Sequence, residues 1–335
     1  MIEKLWYGKT HFYWLLMPLS WLYGLITLVR RQLYKAGILK SWKSPVPIIV
    51  IGNLSVGGNG KTPLVIGLIE ALKTKGLKIG VVSRGYGGKA ESYPLILDEQ
   101  TTTAQAGDEP VLIYQRTHVP VAVSPNRSQA VQALLDNYQL DAILTDDGLQ
   151  HYALKRDIEI VVVDGKRLFG NGWWIPAGPM RERQSRLKSV DIIIINGETK
   201  SHLAEKFPEK TYTMQLKPQY AVNLLTKEKI ELHSLKNICA MAGIGDPNRF
   251  FTMLNTLNAD VIKTVSFADH QNYTLPLLTN IATQDQTLLM TEKDAVKCFQ
   301  FTLPNWWYLP IEAILPNQVT NQICSLLEET KSKRE

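Results

Sequence analysis

The sequence predicts an α/β protein: a mostly parallel sheet with helices on both faces, then a smaller C-terminal α/β domain, with a membrane-associated helix at the N-terminus. Three observations carry this reading. Short β-branched runs, VPIIVI at 46–51, IEIVVV at 158–163 and DIIII at 191–195, end in loops of Gly, Asn or Asp. Largely apolar strands of that length suit a parallel sheet buried on both faces. A glycine-rich turn joins the first run to a helix-spaced pattern, and an uncharged aromatic stretch precedes it.

At 335 residues the chain is long enough for two packed domains. The divisions expected are a helix region at 1–40, a core at 41–220, and linker strands with a smaller α/β domain at 221–335. A hydrophobic share of 45% and a charged share of 20% exclude both disorder and a polytopic membrane protein. The net charge of +6 is modest, and no finger spacing or basic-aromatic module points to nucleic acid. An anionic membrane or a phosphorylated substrate is a better use of such a surface. Cys239, Cys298 and Cys324 lie far apart, which supports neither a disulfide framework nor a zinc site and fits a reducing cytosol.

The N-terminal element comes first. From Phe12 to Val29, 18 residues carry no charge, and Arg30, Arg31 and Lys35 follow. A membrane span needs about 20 apolar residues, and Pro18, Ser20 and Gly24 interrupt this one. Trp6, Tyr7, Phe12, Tyr13, Trp14, Trp21 and Tyr23 favour the headgroup boundary, so an interfacial helix competes with a span. Basic residues directly after the run argue against a cleaved signal and leave the remainder on the cytoplasmic side. The bland alternative is a buried helix of a soluble core.

The second element is a phosphate loop. VPIIVI runs into GNLSVGGNGKTP, and Leu64, Ile66, Leu68, Ile69 and Leu72 then repeat at helical spacing. This strand, loop and helix order is that of a P-loop NTPase-type sheet. Ser55, Val56, Gly57, Gly58, Asn59, Gly60, Lys61 and Thr62 form the candidate nucleotide site. Backbone N–H groups meet phosphate oxygens, Lys61 reaches the β and γ phosphates, and Thr62 ligates magnesium. Ser55 stands where the strict pattern has glycine.

A carboxylate must then come from a neighbouring strand to hold the metal. AILTDDGLQH supplies Asp146 and Asp147, two adjacent acids whose repulsion a cation would relieve. Beyond nucleotide binding, GDEP at 107–110 puts Asp108 and Glu109 in a polar turn, where Asp108 is a candidate base. The plain reading of that aspartate is an N-cap. His270, in SFADHQNY, is a candidate partner for it. SRGYGG and PAGPMRER bring Arg84, Arg181 and Arg183 among glycines, as anionic substrates require.

NLSVGGNGKTP, SRGYGG, GDEP, TDDGLQH, PAGPMRE, AMAGIGDPNRFF, FADH and TEKDAVK occur in that order along one chain. Together they resemble the tetraacyldisaccharide 4'-kinase family over essentially the whole length. The resemblance implies transfer of the γ-phosphate of ATP, with Mg2+, to the 4'-hydroxyl of a tetraacyldisaccharide 1-phosphate lipid, giving lipid IV-A. It also implies work at the cytoplasmic face of the bacterial inner membrane, with no obligate protein partner inferred. By similarity, Lys61 and Thr62 bind ATP and magnesium, Asp146 and Asp147 complete the metal site, and Asp108 with His270 forms the base pair. Arg84, Arg181 and Glu182 are the expected substrate-binding residues.

After Tyr220, AVNLLTKEKIEL reads as two short strands around a turn, linking the domains. ICAMAGIGDPNRFFTML follows as strand, turn and helix, and QVTNQICSLLEETKSKRE as a terminal amphipathic helix. TEKD supports a rival function, because a Lys-Asp pair after a strand superficially suggests the guanine-reading loop of a membrane-bound P-loop switch or partitioning ATPase/GTPase. Its lysine-to-aspartate spacing is wrong for that loop.

Overall fold

In this computed structural model residues 2–8, 12–199 and 201–334 are described. Helix α1 (Ile2–Tyr7) precedes a 3-10 turn at Phe12–Leu16, which runs straight into α2 (Met17–Lys35). The first unit then alternates strand and helix: β1 (Ile48–Gly52), α3 (Lys61–Lys73), β2 (Ile79–Ser83), β3 (Leu95–Ile96), α4 (Thr103–Ala106), α5 (Asp108–Thr117) and β4 (Val121–Val123). It continues through α6 (Arg127–Asn137), β5 (Ala142–Thr145), β6 (Ile158–Asp164), β7 (Ile192–Asn196), α7 (Leu203–Lys206) and β8 (Thr211–Pro218).

A second unit follows, with β9 (Ala221–Asn223), β10 (Lys229–Ile230), β11 (Ile238–Ala242), α8 (Pro247–Thr256), β12 (Val261–Ser266), α9 (Leu275–Thr279), β13 (Thr287–Thr291), α10 (Glu292–Ala295) and β14 (Trp306–Leu309). The chain ends on β15 (Ile311–Ile314) and α11 (Asn317–Ser332).

The larger sheet has the order β15-β8-β7-β6-β1-β5-β2-β4-β3, the smaller one β10-β9-β14-β13-β11-β12. In the larger sheet only the edge pairs, β3 with β4 and β8 with β15, are antiparallel. Strand β1 is central, with Val50 opposite Thr145 of β5 and Gly52 opposite Val161 of β6. Its residues alternate between two cores: Ile49 and Ile51 pack with Leu64 and Leu68 of α3, while Ile48 and Val50 pack with Val161 and Leu187. Burying each such side chain contributes about 1.5–3 kcal/mol, which fixes the strand ends that carry the site.

Two expectations need correction. The division at 221 assigns the tail to the smaller domain, yet β15 pairs with β8 in the larger sheet. Val319, Ile323 and Leu327 of α11, four residues apart, bury against that sheet's core. The second unit is therefore an insertion between β8 and β15. AVNLLTKEKIEL does form two antiparallel strands, but they make one edge of the smaller sheet rather than a linker. The crossing points are the residues after Pro218 and Pro310, and the Gln219 N–H donates to the Pro310 carbonyl at 3.2 Å. Apolar periodicity alone cannot reveal such a return, because it says nothing of pairing partner.

The N-terminal helix is the apolar element that was expected. A buried soluble helix is not what forms. The stretch Phe12–Lys35 is long and apolar enough to cross a membrane, and only 11% of its most apolar window is buried. It docks through Ser20, whose hydroxyl donates to the Trp174 carbonyl at 2.6 Å, and through Gly24, where any Cβ would collide with the Trp174 ring. Phe12, Trp14, Leu15, Leu19, Trp21, Leu22, Leu25 and Ile26 stay exposed. An apolar face of that extent marks an interaction surface.

Candidate active site

The phosphate loop leaves β1 at Asn53 and closes at Gly60, which caps α3 in the left-handed region at φ 86°. Gly60 is required there twice over, since a Cβ would also meet the Asn196 amide. The Asn196 amide in turn donates to the Asn59 carbonyl at 3.0 Å, and the Asn59 side chain donates to Ser55 Oγ at 3.3 Å. The serine that departs from the strict pattern thus braces the loop from inside, in partnership with the Asn59 side chain. Arg167 donates to the Gly58 carbonyl at 2.6 Å. Lys61 and Thr62 are the first two residues of α3, at the end of the helix where the dipole favours anions.

Because β5 lies beside β1, Asp146 and Asp147 emerge next to this loop. The Asp146 carboxyl is buried and its Oδ1 has no hydrogen-bond partner. Burial first, then the nearby Glu109 and Asp147 charges, raise it to about 7 against the pull of Lys61 and Arg127. For Asp147 burial again pushes upward, but Lys61, Arg181 and Arg127 together outweigh it and hold the carboxyl down at about 2. Lys61 Nζ stands 3.6 Å from Asp147 Oδ1, and Arg181 Nη1 contacts both Asp147 oxygens at 3.0 and 2.8 Å. Arg127, unmarked by any sequence motif, donates to the Asp146 and Asp147 carbonyls at 3.2 and 2.8 Å. The only sequence signal for it is an arginine at the start of a helix, which is too common to single out.

Asp108 sits across a crevice from the second unit. GDEP is not a free turn: Gly107, at φ 88°, takes the cap position and Asp108 opens α5. Its Oδ2 lies 3.0 Å from His270 Nδ1 and 3.3 Å from Lys297 Nζ. Burial would raise the Asp108 carboxyl, but the His270 hydrogen bond and the Lys297 and Lys293 charges lower it overall. His270 is shifted up, chiefly by that same bond. The loop after β11 lies between the phosphate loop and the loop of His270: a Cβ on Gly245 would stand 3.3 Å from the Gly58 nitrogen and 3.5 Å from Asp269 Oδ2.

The remaining expected residues divide. Arg84 is exposed at the end of β2 and open to a ligand. Arg181 is in the site, tied to Asp147. Glu182 turns inward, accepting from the Tyr152 hydroxyl at 2.6 Å and from Gln150 at 3.0 Å. Arg183 lies over the Trp174 ring at 3.8 Å, beneath the docked α2. The chain bends at Arg181 and Glu182, so a motif that reads as one binding surface is split between site and core.

A metal fits the arrangement in one respect. The unpartnered Asp146 Oδ1 is the kind of orphaned carboxylate atom that a hard cation satisfies. Among the described residues no group of three or more His, Cys, Asp or Glu side chains converges on one point.

A family profile described as LpxK, tetraacyldisaccharide-1-P 4'-kinase, matches residues 12–328. A crystal structure of an "apo" form of LpxK from Aquifex aeolicus in complex with ATP superposes with a TM-score of 0.78 at 30% identity, covering 94% of this chain and 99% of that one. The signal recognition particle receptor FtsY from Elizabethkingia anophelis, in complex with GDP, matches at 16% identity over 57% of this chain and 65% of that chain, with a TM-score of 0.33.

Proposed function

The chain belongs to the tetraacyldisaccharide-1-phosphate 4'-kinase family, and we propose that the crevice residues described above divide that family's reaction among them in the following way. The protein is an ATP-dependent lipid A 4'-kinase, and its acceptor is a lipid A precursor. The loop from Ser55 to Thr62 cradles the triphosphate with its backbone N–H groups, and Lys61 leaves Asp147 for the β and γ phosphates. Thr62, Asp146 and Asp147 hold magnesium. When bound, Mg2+ neutralises charge on the triphosphate. Asp108 takes the proton of the 4'-hydroxyl as it attacks, His270 orients that carboxylate, and Arg84 and Arg181 meet anionic groups of the acceptor.

The single observation that carries this reading is the Asp108–His270 contact of 3.0 Å, because a buried anionic base beside a phosphate loop suits transfer to a hydroxyl. A nucleotide switch has no need of it.

The enzyme is membrane-associated, and the exposed apolar face of α2 with Arg30 and Arg31 behind it is the surface that meets the bilayer. We place it at the cytoplasmic face of the bacterial inner membrane, where basic residues flank the apolar run on the retained side.

The test is transfer of labelled γ-phosphate from ATP to purified tetraacyldisaccharide 1-phosphate in detergent with magnesium. Label should appear in the lipid with the parent protein and not with Lys61→Ala. Label released only to water, or preference for GTP over ATP, would instead support the switch or partitioning reading.

A further inference from the structure

The TEKDAVK segment has no part in the roles assigned so far, yet it lies along α5 as a strap from the second unit. Glu292 accepts from Arg116 Nη1 at 2.8 Å on both carboxylate oxygens, and Lys293 Nζ stands 2.8 Å from Glu109 and 3.1 Å from Asp269. Lys297, whose side chain is only 4% exposed, completes the series 3.3 Å from Asp108. Three consecutive ion pairs thus join one short segment to one helix face, and the last of them ends on the base.

Lys297 is anchored from behind. Asp294 is fully buried and accepts from the Gly243 N–H at 3.0 Å, the Tyr273 hydroxyl at 2.8 Å and the Thr291 hydroxyl at 2.6 Å. Lys297 Nζ lies 3.5 Å from Asp294 Oδ1, yet it is aligned for a hydrogen bond with neither aspartate. A buried ammonium costs several kcal/mol unless opposed by negative charge. Asp294, pinned by three donors, is the fixed half of that opposition, and Asp108 is the half free to do chemistry. His270 and Lys297 both make their closest contact with the same oxygen, Oδ2.

We propose that Lys297 is a positioning residue for phosphoryl transfer: held on the second unit by Asp294, it keeps Asp108 anionic with Oδ2 committed to that unit, so that Oδ1 receives the acceptor's proton. This rests on the kinase reading above. The acceptor O–H bond breaks and its proton passes to Asp108. The oxygen bonds to the γ-phosphorus, the bond from that phosphorus to the β–γ bridging oxygen breaks, and ADP leaves with the electron pair. The charged and titratable groups around Asp108 are Glu109 beside it on α5, Asp269 and His270 on the loop after β12, Tyr273, and Lys293, Asp294 and Lys297 on the strap.

The experiment uses the full chain in detergent with ATP, magnesium and the lipid acceptor, comparing parent, Lys297→Met, Lys297→Arg and the same changes in Asp108→Asn. For Lys297→Met, kcat should fall roughly tenfold or more while KM for ATP stays within about twofold. The acidic limb of its kcat profile should move to higher pH, whereas Lys297→Arg should keep the limb where the parent has it. Added to Asp108→Asn, Lys297→Met should cost nothing further, as expected for groups acting through one another. A limb that does not move in Lys297→Met, or full additivity with Asp108→Asn, would overturn the role. Should Lys297→Met fail to fold, the arginine variant decides alone, and a shifted limb there overturns the proposal. If the parent itself transfers no label to lipid, it is the kinase reading that fails.

Discussion

Individual side chains in this protein answer to their surroundings more than to their motifs. Ser55 breaks the strict phosphate-loop pattern and is nonetheless built in, because Asn59 donates to it. Asp146 and Asp147 are neighbours in sequence with opposite tendencies, since burial dominates one and three cations dominate the other. His151, in the same TDDGLQH segment, gives the clearest pH consequence. Burial first, then the charges of Arg127 and Arg156, hold it down at about 4 from an ordinary 6.5. The unfolded chain therefore takes up a proton below 6.5 that the folded protein refuses until about 4, so this group removes stability as pH falls through that window and contributes no slope above it. His151→Gln cannot titrate. Its melting temperature should gain on the parent's by a few degrees between pH 6.5 and 4 and run parallel to it above pH 7. A constant offset across the whole range would refute the assignment.

At the level of elements, the sequence is most readable where one residue type repeats. The three β-branched runs became β1, β6 and β7, and the uncharged aromatic run became the 3-10 turn and α2. What could not be read was how that helix docks. Ser20 and Gly24, which look like flaws in a transmembrane rod, are its contact with Trp174, four residues apart on one helical face. Gly24→Leu places a branched side chain where there is no space for a Cβ, a misfit of about 1–3 kcal/mol if the helix stays docked. The helix should instead detach. Proteolysis should quicken between residues 36 and 47 and KM for lipid should rise severalfold, with ATP affinity unchanged. Parent-like proteolysis would show that the helix is not held by this contact.

On the scale of the whole molecule, the motifs were legible and their assembly was not. Each of NGKT, TDDG, GDEP and FADH marks the end of an element, where local glycine and charge patterns show through. That GDEP and FADH meet across a crevice depends on the second sheet being inserted between β8 and β15, and no local pattern encodes the pairing that brings the chain back. The consequence is that the proposed base is shared between units: Asp108 belongs to the larger sheet's layer, while His270 and Lys297 reach it from the smaller one. The proposed nucleotide site, by contrast, lies on the larger unit. Removing the base should therefore separate chemistry from binding. The most direct measurement is kcat for phosphate transfer to lipid alongside the equilibrium affinity for ATP, in Asp108→Ala and parent. The account requires kcat to fall by about 10²–10⁴-fold with ATP affinity nearly unchanged, and equal losses in both would contradict it.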